Sequence, residues 1–161
     1  MDAPVRIRRA RASDIPDLVA LRQALFESMG YGDPTLLEAV AEANEAYLAT
    51  ALPRGEFRAW VAEASGKVVA SGGLVIHVVP PTAMNLVGME GYIMNMYTRP
   101  EWRRQGLGTA ILQTILEHLR QEGIPLASLH ASEQGRRLYE KQGFASSNEM
   151  RLWLGWQVEP S

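Results

Sequence analysis

The centre of the chain decides what the rest can become. From Phe57 to Val79, β-branched and aromatic residues crowd both sides of Ser65-Gly66-Lys67, a composition that favours two pleated strands joined by a tight turn. A third apolar run, Tyr92 to Thr98, follows a loop of about ten residues opened by Pro80-Pro81 and stops at Arg99-Pro100, where proline withdraws a ladder donor. Hairpin-linked strands pair antiparallel. The flanking segments must therefore supply helices to cover such a sheet.

They do. Val5 and Ile7 alternate with Arg6 and Arg8 as a short half-buried strand does. Ser13 or Asp14 then offers an N-cap for a helix carrying Ile15, Leu18, Val19, Leu21, Leu25 and Phe26. After the breaks at Gly30, Gly32 and Pro34, a second helical pattern runs over about residues 35–51, before Pro53. Leu107, Ile111, Leu112, Ile115, Leu116 and Leu119 recur at three- and four-residue steps and form the clearest helix. Gly123 and Pro125 end it; Leu126 to His130 reads as a short strand and Glu133 to Gln142 as a helix closed by Gly143. In the tail, Met150, Leu152 and Leu154 alternate with Arg151 and Trp153, predicting a last strand that pairs with Phe144 to Ser146 across Ser147-Asn148. The expected fold is α/β (α+β): one domain over residues 1–161, with a mixed, largely antiparallel sheet of six to seven strands and about four helices. With 47% hydrophobic residues among 161, a domain of this size buries roughly 68–70% of its unfolded surface and needs no staple.

Composition narrows the chemistry. The chain has no cysteine, so disulfides, zinc–thiolate sites and thiol nucleophiles are excluded, which suits a cytoplasmic location. A net charge of −2 argues against nucleic acid or an anionic membrane as partner, and no apolar stretch is long enough to span or to target. Arg6, Arg8, Arg9 and Arg11 read as a solvated strand edge. His77, His118 and His130 lack the spacing of metal ligands, and no metal is expected. No Gly-x-Ser-x-Gly marks a nucleophile elbow.

The junction Thr98-Arg-Pro-Glu-Trp-Arg-Arg-Gln-Gly-Leu-Gly108 carries the strongest chemical signal. A strand passes through a glycine-bearing loop into the start of a strong helix, so backbone N–H groups and the helix dipole can converge on an anion. Arg103 and Arg104 add ion pairing, and a diphosphate is a suitable guest. The dinucleotide fingerprint fails, because position 111 is Ile; a P-loop fails, because Gly66-Lys67 precedes Val68. Taken alone, Gly-x-Gly also serves as a ligand-free turn.

Read with its neighbours, Arg103-x-x-Gly106-x-Gly108 resembles the acyl-CoA pyrophosphate loop of the GNAT superfamily of N-acetyltransferases. Asn95-Met-Tyr-Thr-Arg-Pro-Glu-Trp before it is similar to that family's fourth strand and exit, and Leu138-Tyr-Glu-Lys-Gln-Gly-Phe144 to its motif near the end of the domain. The resemblance implies a splayed V between strands four and five, with the pantetheine arm of acetyl-CoA on backbone groups of Met96, Tyr97 and Thr98. It places the pyrophosphate on N–H groups of Arg104, Gln105, Gly106, Leu107, Gly108 and Thr109 beside Arg103. Ser132 stands where the family often has an asparagine on the cofactor. Tyr139 matches the family's tyrosine near the thioester sulfur, a general acid toward the departing thiolate. Glu90 is the nearest carboxylate for a base, whereas Tyr92 takes the strand position of a catalytic glutamate in some members. Asn95 is either a satisfied core amide or a group that orients substrate or water.

The function implied is direct acetyl transfer from acetyl-CoA to a primary amine, on a small molecule or a protein. The first two helices, the loop Pro80 to Gly91 and the last hairpin would border the acceptor. A non-catalytic acyl-CoA-binding domain and an arginine-led nucleic-acid binder are the alternatives. Exposed sheet edges or the last strand could carry a homodimer.

Overall fold

In the computed structural model, which describes residues 4–155, the elements run β1 (Val5–Arg9), α1 (Ile15–Ser28), α2 (Pro34–Arg54), β2 (Phe57–Ala64), β3 (Lys67–Val78), β4 (Met89–Thr98), α3 (Leu107–Gln121), β5 (Ala127–Leu129) and α4 (Arg136–Lys141). The strands lie in chain order in one sheet. β1 to β4 are antiparallel neighbours, and β5 runs parallel to β4 because α3 carries the chain back across the sheet. The β2–β3 turn has Ser65 and Gly66 both at positive φ, 49° and 76°, the twist that suits a two-residue hairpin.

Alternation along β2 explains its unbroken apolar composition. Trp60, Ala62 and Ala64 face α3 and pack with Ile111, Leu112 and Ile115, whereas Phe57, Ala59 and Val61 face α1 and α2 and pack with Leu18, Leu21 and Leu48. Both faces of the sheet are covered, so both parities must be apolar.

Gly72 and Gly73 interrupt β3 at the point where both layers press closest. A Cβ on Gly72 would lie 2.5 Å from Met96 Sδ and 2.7 Å from Ile111 Cγ2; one on Gly73 would lie 2.4 Å from Phe57 Cζ. Opposite them the register slips: Ser71 pairs with Tyr97 and Gly73 with Met94. Asn95 and Met96 thus face Gly72 alone, a β-bulge, with Asn95 at a φ of 58°. On its other side β4 pairs with β5 only through Gly91–Ile93 against Ala127–Leu129. The last five residues of β4 have no sheet partner on that edge.

Three expectations are corrected. Among the described residues the sheet has five strands, not six to seven. Residues 144–155 contain no strand, and Met150, Leu152 and Leu154 are 93%, 80% and 93% exposed. Alternation marks a chain that could pleat, but a strand also needs an edge to pair with, and β5 offers three residues. The arginine-rich β1 is an edge, yet Arg8 is not solvated: it forks onto Asp14 with two bonds of 2.8 Å and reaches Glu63 at 2.6 Å. Asp14 also accepts the Arg11 N–H at 2.8 Å, so this buried pair ties β1 to the start of α1. Finally, α4 begins at Arg136, because Ser132 first closes a turn by accepting the Gly135 N–H on its hydroxyl and its carbonyl.

Candidate active site

The open edge of β4 forms one wall of a cleft of about 740 Å³, closed by the loop after β4, the start of α3, the turn around Ser132 and α4. Pro100–Trp102 make a single 3₁₀ turn. The chain then reverses through Arg104 and Gly106, at φ values of 61° and 77°. Gly106 is the N-cap of α3, where a left-handed backbone without Cβ is least costly. The helical ladder starts with the Ala110 N–H on the Gly106 carbonyl at 3.0 Å. Among the described residues, the N–H groups from Arg104 to Thr109 have no backbone acceptor. A row of orphan donors at the positive end of a 15-residue helix is a seat for a multiply charged oxyanion.

Of the donor-side residues expected from sequence, only Gln105 is absent from the lining; Met96, Tyr97, Thr98, Arg103, Arg104, Gly106, Leu107, Gly108, Thr109 and Ser132 are all present. Arg103 folds back over the strand end, its guanidinium 5.4 Å from the Tyr97 ring centre and its Nε on the Thr98 carbonyl at 3.1 Å. That side chain braces the end of β4. The unpaired β4 edge, the row of free N–H groups and the cleft between them fit an extended amide-bearing arm that ends in a diphosphate.

Tyr139 lines the same cleft and is 8% exposed. Its ring meets Phe144 edge-on at 5.9 Å. Gly135 is small because it must be: a Cβ there would lie 2.9 Å from the Tyr139 ring. The hydroxyl has no hydrogen-bond partner among the described residues, and burial pushes its pKa above the ordinary phenol value.

A second cavity, about 360 Å³, lies beneath α1 and α2. Apolar walls from Leu18, Leu48, Phe57 and Met94 surround a polar set of Arg22, Asn44, His77, Tyr92 and Asn95. Ser71, 3% exposed, lines both this cavity and the cleft, so the two spaces meet at the bulge. Asn95 accepts a short hydrogen bond from Arg22 on its side-chain carbonyl. Tyr92 stacks on His77 at 5.7 Å and bonds to His130 through its hydroxyl; burial raises its pKa. Glu90 lines neither space. Its carboxylate sits 3.6 Å from His77 Nδ1, across the strand pair, and His77 lines the cavity.

Arg22, Ser71 and His77 were not assigned to the site from sequence. Arg22 had a signal: with Leu18 and Phe26 it falls at four-residue steps on the helix, a cation on an otherwise apolar stripe. Ser71 and His77 interrupt an apolar strand run in the same way. Among the described residues there is no group of three metal-ligating side chains and no helix long and apolar enough to cross a membrane.

Known proteins share this fold. The family model of the acetyltransferase (GNAT) domain matches residues 55–146, more than half of the chain, and the chain belongs to that family. It is 27% identical to the thialysine N-epsilon-acetyltransferase of Mus musculus, over 98% of this chain and 94% of that one. A GCN5-related N-acetyltransferase from Ralstonia eutropha superposes with a TM-score of 0.87 at 28% identity, covering 94% and 99% of the two chains. A predicted acetyltransferase from Clostridium acetobutylicum, solved with acetyl-CoA, gives 0.84 at 28% identity and 96% coverage of each chain.

Proposed function

We propose that the protein transfers the acetyl group of acetyl-CoA directly to a small primary amine. The observation that carries this reading is the meeting of two spaces at one β-bulge: a cleft lined by unpaired backbone donors and a cavity lined by side chains, joined at Ser71.

In this reading, backbone groups of Met96, Tyr97 and Thr98 hold the pantetheine amides in place of a missing strand. The N–H groups from Arg104 to Thr109 hold the pyrophosphate, with Arg104 as added charge and Ser132 at the rim. Gln105 contributes its backbone alone. Bound acetyl-CoA supplies the thioester carbonyl as electrophile. Tyr139 serves the leaving sulfur. A phenol near pKa 10 giving its proton to a thiolate near 8.5 is uphill by about 2 kcal/mol, and burial of Tyr139 steepens that climb. Its hydroxyl therefore acts chiefly as a hydrogen-bond donor that stabilises developing thiolate charge.

The amine must arrive neutral. An alkylamine of pKa near 10.4 is about a thousandth deprotonated near pH 7.4, a deficit of roughly 4 kcal/mol. His77 lines the acceptor cavity and Glu90 sits beside it, so Glu90 assists deprotonation through His77 and water rather than by contact. Asn95, held by Arg22, orients the acceptor at the bulge. Titration calorimetry with acetyl-CoA, followed by thiol-release assays over an amine panel, tests the proposal. Binding and turnover are expected; cofactor binding without turnover of any amine would leave a binding domain in its place.

A further inference from the structure

The acceptor cavity holds one permanent cation, and no carboxylate answers it. Arg22 forms no ion pair among the described residues, and no aspartate or glutamate lines the cavity. Its Nε is buried without a hydrogen-bond partner, one guanidinium nitrogen donates to the neutral Asn95 side chain, and the group lies 4.9 Å from the centre of the Phe26 ring. Of the other half-buried arginines, Arg8 and Arg58 end on carboxylates and Arg99 donates to the Val68 carbonyl. A desolvated guanidinium facing a cavity without a counter-ion is a defect unless a ligand supplies one. A site made for a bare alkylammonium would carry the opposite charge.

Building on the acetyl-transfer reading, we infer that the acceptor is a small amine bearing an oxyanion, a carboxylate or phosphate, that binds Arg22 beside Asn95. The planar fork of the guanidinium matches either group. The cavity, about 360 Å³ and bordered by Tyr47, Phe57 and Tyr92, limits the acceptor to metabolite size.

The test uses acetyl-CoA with ω-amino carboxylates of two to six carbons, each beside the alkylamine of the same carbon number, and with phosphoethanolamine beside ethanolamine. At least one anionic acceptor is expected to exceed its uncharged partner in kcat/KM by about tenfold or more, chiefly through KM. The carboxylate and phosphate arms show which oxyanion is preferred. Arg22→Gln should bring kcat/KM for the anionic acceptor down to or below that of its uncharged partner while retaining acetyl-CoA affinity, and Arg22→Lys should restore part of the difference. Hexanoate should compete with hexylamine on the unaltered enzyme, a readout independent of any variant's folding. Turnover without a charge preference, or a preference that survives in Arg22→Gln, overturns this inference alone. Bound acetyl-CoA with no amine consumed overturns the transfer reading and this one with it.

Discussion

The cleft and the cavity, proposed as the donor and acceptor sites, meet at one β-bulge and are built from different materials. The cleft is made of main chain: an unpaired strand edge, two left-handed residues and the bare start of α3. The cavity is made of side chains contributed by α1, α2, β2, β3 and β4. Backbone can be freed by a short local pattern, so the donor side is compact in sequence and tolerant of side-chain change. An enclosure of side chains needs distant elements to stay in place, so the acceptor side is sensitive to whatever anchors those elements.

The largest effect should come from that anchor. Removing Arg8 leaves Asp14 buried without its partner at the start of α1, a cost of about 3 kcal/mol or more, so Arg8→Ala should sharply lower the midpoint of chemical denaturation. The same pair sets an acid limit. The Arg8 guanidinium holds the Asp14 carboxyl below its ordinary range, so this stabilisation is complete above the unfolded value of about 3.9 and is lost as pH falls through the lower folded value. Acid unfolding followed by circular dichroism should move to higher pH in Arg8→Ala. An unchanged midpoint would mean that α1 is held otherwise.

Next in size is Tyr139→Phe, which removes a buried hydroxyl from the cleft. Turnover should drop about a hundredfold with acetyl-CoA affinity nearly unchanged; equal loss of both would make Tyr139 a packing residue. Gly72→Ala then tests the bulge both sides share. Its Cβ would press on Met96 and Ile111, and a cost of about 1–3 kcal/mol is expected by thermal or chemical melting. The smallest effect should be Arg104→Ala, an exposed charge beside main-chain donors. It should weaken acetyl-CoA by no more than about fivefold in calorimetry, corresponding to about 1 kcal/mol. A loss of a hundredfold would shift the weight of donor binding from backbone to side chain.

The same difference in material explains what could be read in advance. Gly106, Gly108 and the periodic helix after them announce a freed row of N–H groups because the device is local, and the cleft contains all but Gln105 of the residues expected there. The β2–β3 hairpin was legible for the same reason, its turn being two residues long. Arg22 and His77 each break an apolar pattern, but that they line one cavity was hidden because α1 and β3 meet only in the folded chain. Glu90 was picked by its place along the strand, which does not reveal that its carboxylate meets His77 at 3.6 Å and lines neither space. The tail shows the converse limit, since the alternation of Met150, Leu152 and Leu154 states a capacity to pleat and no edge in the sheet takes it up.

The central assertion is that main-chain N–H groups between Arg104 and Thr109 receive the donor. Amide NMR spectra recorded while acetyl-CoA is added address it most directly. The resonances of these residues should move farthest and saturate together with those of Met96 to Thr98. Saturable binding that leaves them in place while other amides shift would contradict the account.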